Sequence, residues 1–288
     1  TISTVLGLSR KQDFEGVEQE YPELLAVVWP HKKSDPALSD IIRSLSHPEL
    51  VDQGFWKGHA NRLSKDQPVA WDIIDSVTEA TWKHETTTND SPVGLESFSA
   101  QNSGEESPSD SEPGQTPSMA STPLSAGHII HQRRSAVDFD GQTGISADRF
   151  FIMLNRVLPK AGRPLHERPM PWDACPWDPT VHLALFIHRI EGLEPGLYWF
   201  NRFPEYRSHS CFQEEMHSHF HWTRPPGCPD HLPLFMLEIG NGQRLAKQLS
   251  CGQNIAGDSA FSLGMIAEFD APLRNFGPWF YKRLFWET

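Results

Sequence analysis

Residues 85–126 read ETTTNDSPVGLESFSAQNSGEESPSDSEPGQTPSMASTPLSA, 42 residues with seven acids, no lysine or arginine and almost no large apolar side chain. Such a stretch has too little apolar surface to offset the entropy of ordering its backbone. It is predicted to be a disordered acidic linker, and composition alone accounts for a plain spacer there. Any hydrophobic core must therefore be built from residues 1–84 and 127–288. More than half of the net charge of −12 also sits in this one tether.

Residues 1–84 carry two stretches with helical spacing. One has Ile41, Ile42 and Leu45 behind Ser39; the other has Ile73, Ile74 and Val77 behind Asp72, the polar residues standing where caps are favoured. Two such helices are too few to enclose a core. This part is expected to lean on another domain, either sequence upstream of Thr1 or the half that follows.

From residue 127 the text turns into a mixture of helix and strand. ISADRFFIMLNRVLP places Phe150, Phe151, Leu154, Val157 and Leu158 on one helical face, with Ser146 as N-cap and Pro159 as stop. VHLALFIHRI is a strand-length apolar run, EGLEPG is turn chemistry and LYWF returns, which together predict a hairpin. LPLFMLEIG predicts a third strand and NGQRLAKQLS a helix. DSAFSLGMIAEF, apolar nearly all round, is expected to be a buried helix. Pro278 suits the first turn of a helix through GPWFYKRLFWE. The fold class expected is α+β, with helices packed on an antiparallel or mixed sheet.

The acidic balance, 25 Lys and Arg against 37 Asp and Glu, argues against nonspecific binding to nucleic acid or anionic membrane surfaces, which need excess positive charge. Cys175, Cys211, Cys228 and Cys251 are scattered, with no C-x-x-C pair, so neither a disulfide framework nor a zinc ribbon is indicated and a cytoplasmic setting is expected. No run approaches the roughly 18 apolar residues of a membrane span, and the first residues lack a signal peptide's apolar core. The chain reads as a segment of something longer.

Positive charge returns abruptly in HQRRSAVDFDG, residues 131–141. Arg133, Arg134 and Ser135 bring two guanidinium forks and a hydroxyl together, the donors a phosphate monoester needs; a solvated arginine pair is the simpler alternative. In HSHFHW, a strand would present His217, His219 and His221 on one face, with Cys228 and His231 downstream, yet the spacing fits no familiar zinc pattern and a surface loop is the better reading, so no metal is assigned. WFYKRLFW is expected to be an interface or core helix. No His or carboxylate pair marks a catalytic acid or base.

The order IIHQRRSAVDFDGQTGIS, RFFIMLNRVLP, VHLALFIHRIEGLEPGLYWF, LSCGQNIAGDSAFSLGMIAEF and GPWFYKRLFWET resembles the nitroreductase superfamily, and more closely its SagB/ThcOx-type dehydrogenases, whose long members carry two nitroreductase-like halves. FEGVEQEYPELL resembles the connection between halves. The resemblance implies residues 1–84 as a helical connection from a preceding half, 85–126 as the linker and 127–288 as a nitroreductase-like domain incomplete at its C-terminus. It implies FMN as cofactor, with Arg133, Arg134 and Ser135 at its phosphate. Relatives often carry a basic residue two places after the serine, where this chain has Val137, and a loop for which residues 159–179 keep only fragments. The implied activity is hydride transfer through flavin. The substrate would be a small molecule or an azoline in a modified peptide, with a nicotinamide as donor where a quinone or nitro compound is reduced. Pairing of halves would occur within the longer chain or between copies. The alternative is a degenerate, flavin-free half that serves as a structural or complex-forming partner.

Overall fold

The computed structural model describes residues 20–21, 71–82, 125–159, 168, 172, 179–202, 216–267 and 269–288. The expected helix behind Ser39 and most of the linker, 85–124, lie outside the described residues. The chain divides into two units, 1–77 and 78–288. In the first, the helix α1 (Asp72–Ala80) begins, with Asp72 as its first residue rather than a cap ahead of it. Its Ile73, Ile74 and Val77 are exposed, and Tyr21 Oη donates to Asp75 Oδ1 at 3.1 Å.

The second unit is organised by a four-stranded antiparallel sheet, in the spatial order β5 (Leu234–Ile239), β4 (Gly196–Phe200), β2 (Val181–Ile187) and β6 (Phe261–Ala267). Strand β2 (Val181–Ile187) is the apolar run of the sequence; it pairs with a neighbour on each side and is covered on both faces, which is why it lacks polar alternation. It turns through residues 188–195 into β4 (Gly196–Phe200), forming the expected hairpin, and Tyr198 Oη closes the turn on the Glu194 carbonyl at 2.8 Å. β5 (Leu234–Ile239) lies beside β4 with a bulge at Leu197 and Tyr198. A Cβ at Gly196 would stand 2.1 Å from the Glu238 carbonyl oxygen, so this crossing admits only glycine.

On one face of the sheet Leu183, Leu185, Ile187, Tyr198, Phe200 and Leu234 pack with Phe150, Phe151 and Leu154 of α3 (Ala147–Arg156). Each large side chain so buried contributes roughly 1.5–3 kcal/mol. Ser146 holds the N-cap position without a side-chain cap bond, and the helix ends before Val157, which is exposed. On the other face Phe186 meets Ala246 of α4 (Gln243–Leu249) and Ala256 of α5 (Asn254–Asp258), with Leu197 against them. A two-stranded parallel pair joins β1 (Ile145–Ser146) to β3 (Ile190–Glu191).

The DSAFSLGMIAEF segment is not a buried helix. Its residues Phe261–Ala267 form β6, the edge strand paired antiparallel to β2. Phe261, Leu263 and Met265 alternate with Ser262, Gly264 and Ile266, a period of two that all-round apolarity conceals. An edge strand covers its faces incompletely, and Leu263 and Met265 remain 45% and 50% exposed.

After β6 come α6 (Asp270–Phe276) and Gly277, whose φ of 88° stops it. A 3-10 turn (Pro278–Phe280) then leads into α7 (Tyr281–Glu287). The aromatic stretch is split: Phe280 and Leu284 are buried, while Phe285 and Trp286 face solvent. The Arg283 guanidinium lies 4.4 Å from the Trp279 ring centroid. No helix among the described residues is long and apolar enough to cross a membrane.

Candidate functional site

The arginine segment begins at helix α2 (Ala126–Gln132), where the Ser125 hydroxyl caps the His128 N–H at 3.2 Å. Arg133 is the C-cap, its N–H donating to the Ile129 carbonyl at 2.8 Å. Arg134 Nη1 donates to the carbonyls of His131 (2.7 Å) and Arg133 (2.9 Å), so its charge lies at the negative end of the helix dipole. Arg133 Nη1 reaches Ser135 Oγ at 3.5 Å. The three consecutive residues are exposed and lie in an irregular stretch after the helix, and Val137 beyond them is 91% exposed. Two cations and a hydroxyl this close can receive a phosphate, provided Arg134 gives up its bonds to the helix end.

Beyond Val137 the chain becomes anchored. Asp140 Oδ1 accepts the N–H groups of Gln142 (2.9 Å) and Thr143 (2.8 Å), and Oδ2 accepts the Thr143 hydroxyl. These bonds, the hydroxyl first, hold its carboxyl down at about 2. Gly141 supplies the positive φ of 68° the turn requires. Arg189, at the corner between β2 and β3, donates from Nε to the Thr143 carbonyl (3.4 Å) and from Nη2 to the carbonyls of Asp258 and Ser259, the latter at 2.7 Å. Asp258 is also held by Lys247 at 3.2 Å.

The histidine group does not assemble. Residues 216–219 are helical, so alternate positions do not share a face as they would on a strand. His217 stacks on Trp222 with centroids 4.2 Å apart, Ser218 Oγ and His219 Nδ1 are 3.0 Å apart, and His231 Nε2 is 3.2 Å from Asn155 Oδ1. Among the described residues no cluster of three or more such side chains could hold a metal. Cys228 and Cys251 are free thiols, and burial pushes the Cys228 thiol up.

Sequence reasoning missed a buried polar group near the start of β2. The Glu287 carboxylate accepts the N–H groups of Thr180 (2.8 Å) and Val181 (2.7 Å), fastening α7 to the sheet. Burial pushes its carboxyl up, against the pull of those bonds and of Arg202. Arg202, also buried, donates from Nε to the Val157 carbonyl at 3.1 Å and lies 4.8 Å from the Trp172 ring centroid. His182, 6% exposed and 5.3 Å from Trp199, has its imidazole depressed to about 4, by burial first and by Arg202 second. Only an acid on the inward face of an aromatic helix, at its last residue, hinted at this group.

Fold and site together define an α+β protein whose sheet is antiparallel throughout its four strands, entered from an exposed basic segment. No family model matches the chain, and no curated protein matches it. Among solved structures it is similar to a protein from Anabaena variabilis ATCC 29413 provisionally assigned as a nitroreductase, with 14% identity and a TM-score of 0.35, over 54% of this chain and 26% of that one. The chain thus spans about a quarter of that protein's length.

Proposed function

We propose that the chain belongs to an FMN-dependent oxidoreductase of the nitroreductase type, in the manner of the SagB/ThcOx dehydrogenases. The observation that carries this reading is the basic segment 133–135 joined through the 140–145 turn to the corner of the β2–β4 hairpin, in the element order the sequence resemblance implies. The donors fit a phosphate: among the described residues the Arg133 guanidinium makes a long contact to Ser135, and all three residues are open to solvent. Arg133, Arg134 and Ser135 would hold the ribityl phosphate, and FMN when bound supplies hydride transfer. The residues of this chain contribute binding and orientation. Substrates consistent with this reading are an azoline in a modified peptide, or a quinone or nitro compound with a nicotinamide donor; pairing of halves would be within a longer chain or between copies.

A charge-assisted contact to phosphate is worth about 1.5–3 kcal/mol, so Arg133→Ala should weaken FMN by roughly ten- to a hundredfold and leave riboflavin, which lacks the phosphate, unchanged. Titrating both ligands against wild type and variant checks this; equal loss for both, or for neither, overturns it. The placement of Arg134 on carbonyls of its own helix end favours a second reading, a flavin-free partner half. That reading predicts no binding of either ligand.

A further inference from the structure

We infer that Arg189 is a positioning residue for the phosphate-binding segment, acting through the 140–145 turn. The inference rests on the FMN reading above.

Among the described residues, every hydrogen bond made by 125–139 is local to that stretch. Among the described residues, the first tertiary hydrogen bonds come after it. The Ile145 N–H donates to the Arg189 carbonyl at 3.2 Å, and the guanidinium of the same residue donates to the Thr143 carbonyl at 3.4 Å. A Cβ at Gly144 would stand 2.7 Å from the Arg189 carbonyl oxygen, so the two backbones approach as closely as glycine permits. The remaining guanidinium bonds, to the carbonyls of Asp258 and Ser259, fix Arg189 itself to the junction of α5 and β6. The Arg189 N–H adds a bond to the Ala260 carbonyl at 2.9 Å.

Among the described residues, tertiary hydrogen bonds thus restrain the cations from one side. Asp140 is bonded to the anchored Thr143, and five residue steps from it to Ser135 span at most ~18 Å, so the anchor sets the volume in which Arg133 and Ser135 can meet a ligand. Releasing it enlarges that volume and raises the ordering cost of binding a phosphate. The ring of the ligand gains nothing from this restraint. A planar fork bonded to carbonyls on two separate segments is a task for guanidinium, which an ammonium performs only in part.

The test measures FMN and riboflavin affinities for the full chain carrying Arg189→Met, Arg189→Lys or Asp140→Ala, beside Arg133→Ala. Arg189→Met should weaken FMN about tenfold with riboflavin changed less than twofold, and Arg189→Lys should recover part of the loss. Asp140→Ala opens the turn at an exposed site, leaves the Arg189 bonds to α5 and β6 in place, and should show the same selectivity should Arg189→Met fail to fold. A merely structural role lowers stability and weakens both ligands together, which overturns the inference. If Arg133→Ala discriminates FMN from riboflavin while the Arg189 and Asp140 variants do not, this inference alone falls. If Arg133→Ala does not discriminate, the FMN reading falls and takes this one with it.

Discussion

Strand β2 and the segment 125–140 stand at opposite extremes of one unit. β2 has six of seven residues buried and a hydrogen-bonded neighbour along each edge. The described side chains of 125–140 are all exposed, and their hydrogen bonds reach no further than a few residues. Stability is therefore concentrated where the proposed ligand contacts are absent, and the ligand contacts lie where little stability is held. Substitutions in the two regions should separate cleanly.

The largest effect is expected at Leu185, 0% exposed at the middle of β2. Leu185→Asp buries a carboxylate with no partner and should cost roughly 5 kcal/mol or more, enough to unfold the unit. Loss of the cooperative transition in circular dichroism would establish this; a folded variant would break the contrast.

Next comes acid. Because the His182 imidazole is depressed from 6.5 to about 4, it favours the folded state fully above 6.5, and the benefit is lost as pH falls through 4, the unfolded chain taking the proton first. The loss should approach about 3 kcal/mol. His188, lowered by burial, adds in the same direction. Glu287, raised by burial, acts in the opposite sense: it stabilises below its unfolded pKa, and that contribution fades as pH rises through its folded value. Urea titrations at pH 7 and pH 4 should show the difference, and it should shrink in His182→Phe.

Leu263→Asp separates strand from helix at β6. A half-exposed edge position should cost about 1 kcal/mol and leave a folded protein, read as a shift in denaturation midpoint. The smallest effect is expected at Val137, where an aspartate should change stability by less than about 0.5 kcal/mol. A larger change would show that the entering segment packs on something and would sharpen the comparison into a different one.

The sequence was legible where burial dictated pattern. Strands β2, β4 and β5 and helices α3, α4 and α7 stand where apolar spacing and turn residues put them. β6 was misread because an apolar run supports either period, and only Ser262 and Gly264 at alternate positions spoke for a strand. The basic residues of the candidate site were visible as an abrupt return of charge. Their anchor was not: Arg189 lies 49 positions after Asp140, and nothing local in HRIEGL announces bonds to Asp258 and Ser259. Glu287 and His182 were hidden likewise, since long-range polar contacts leave no periodic trace.

The order of strands in space also fixes an order in time. β2 meets β4 across one short turn, whereas its register with β6 closes a loop of roughly seventy residues, and the entropy of closing such a loop must be met before any contact repays it. The hairpin is accordingly the natural nucleus of this sheet. Until β6 arrives, a growing chain exposes one edge of its most apolar strand, and that interval is when it is most open to pairing with the wrong neighbour.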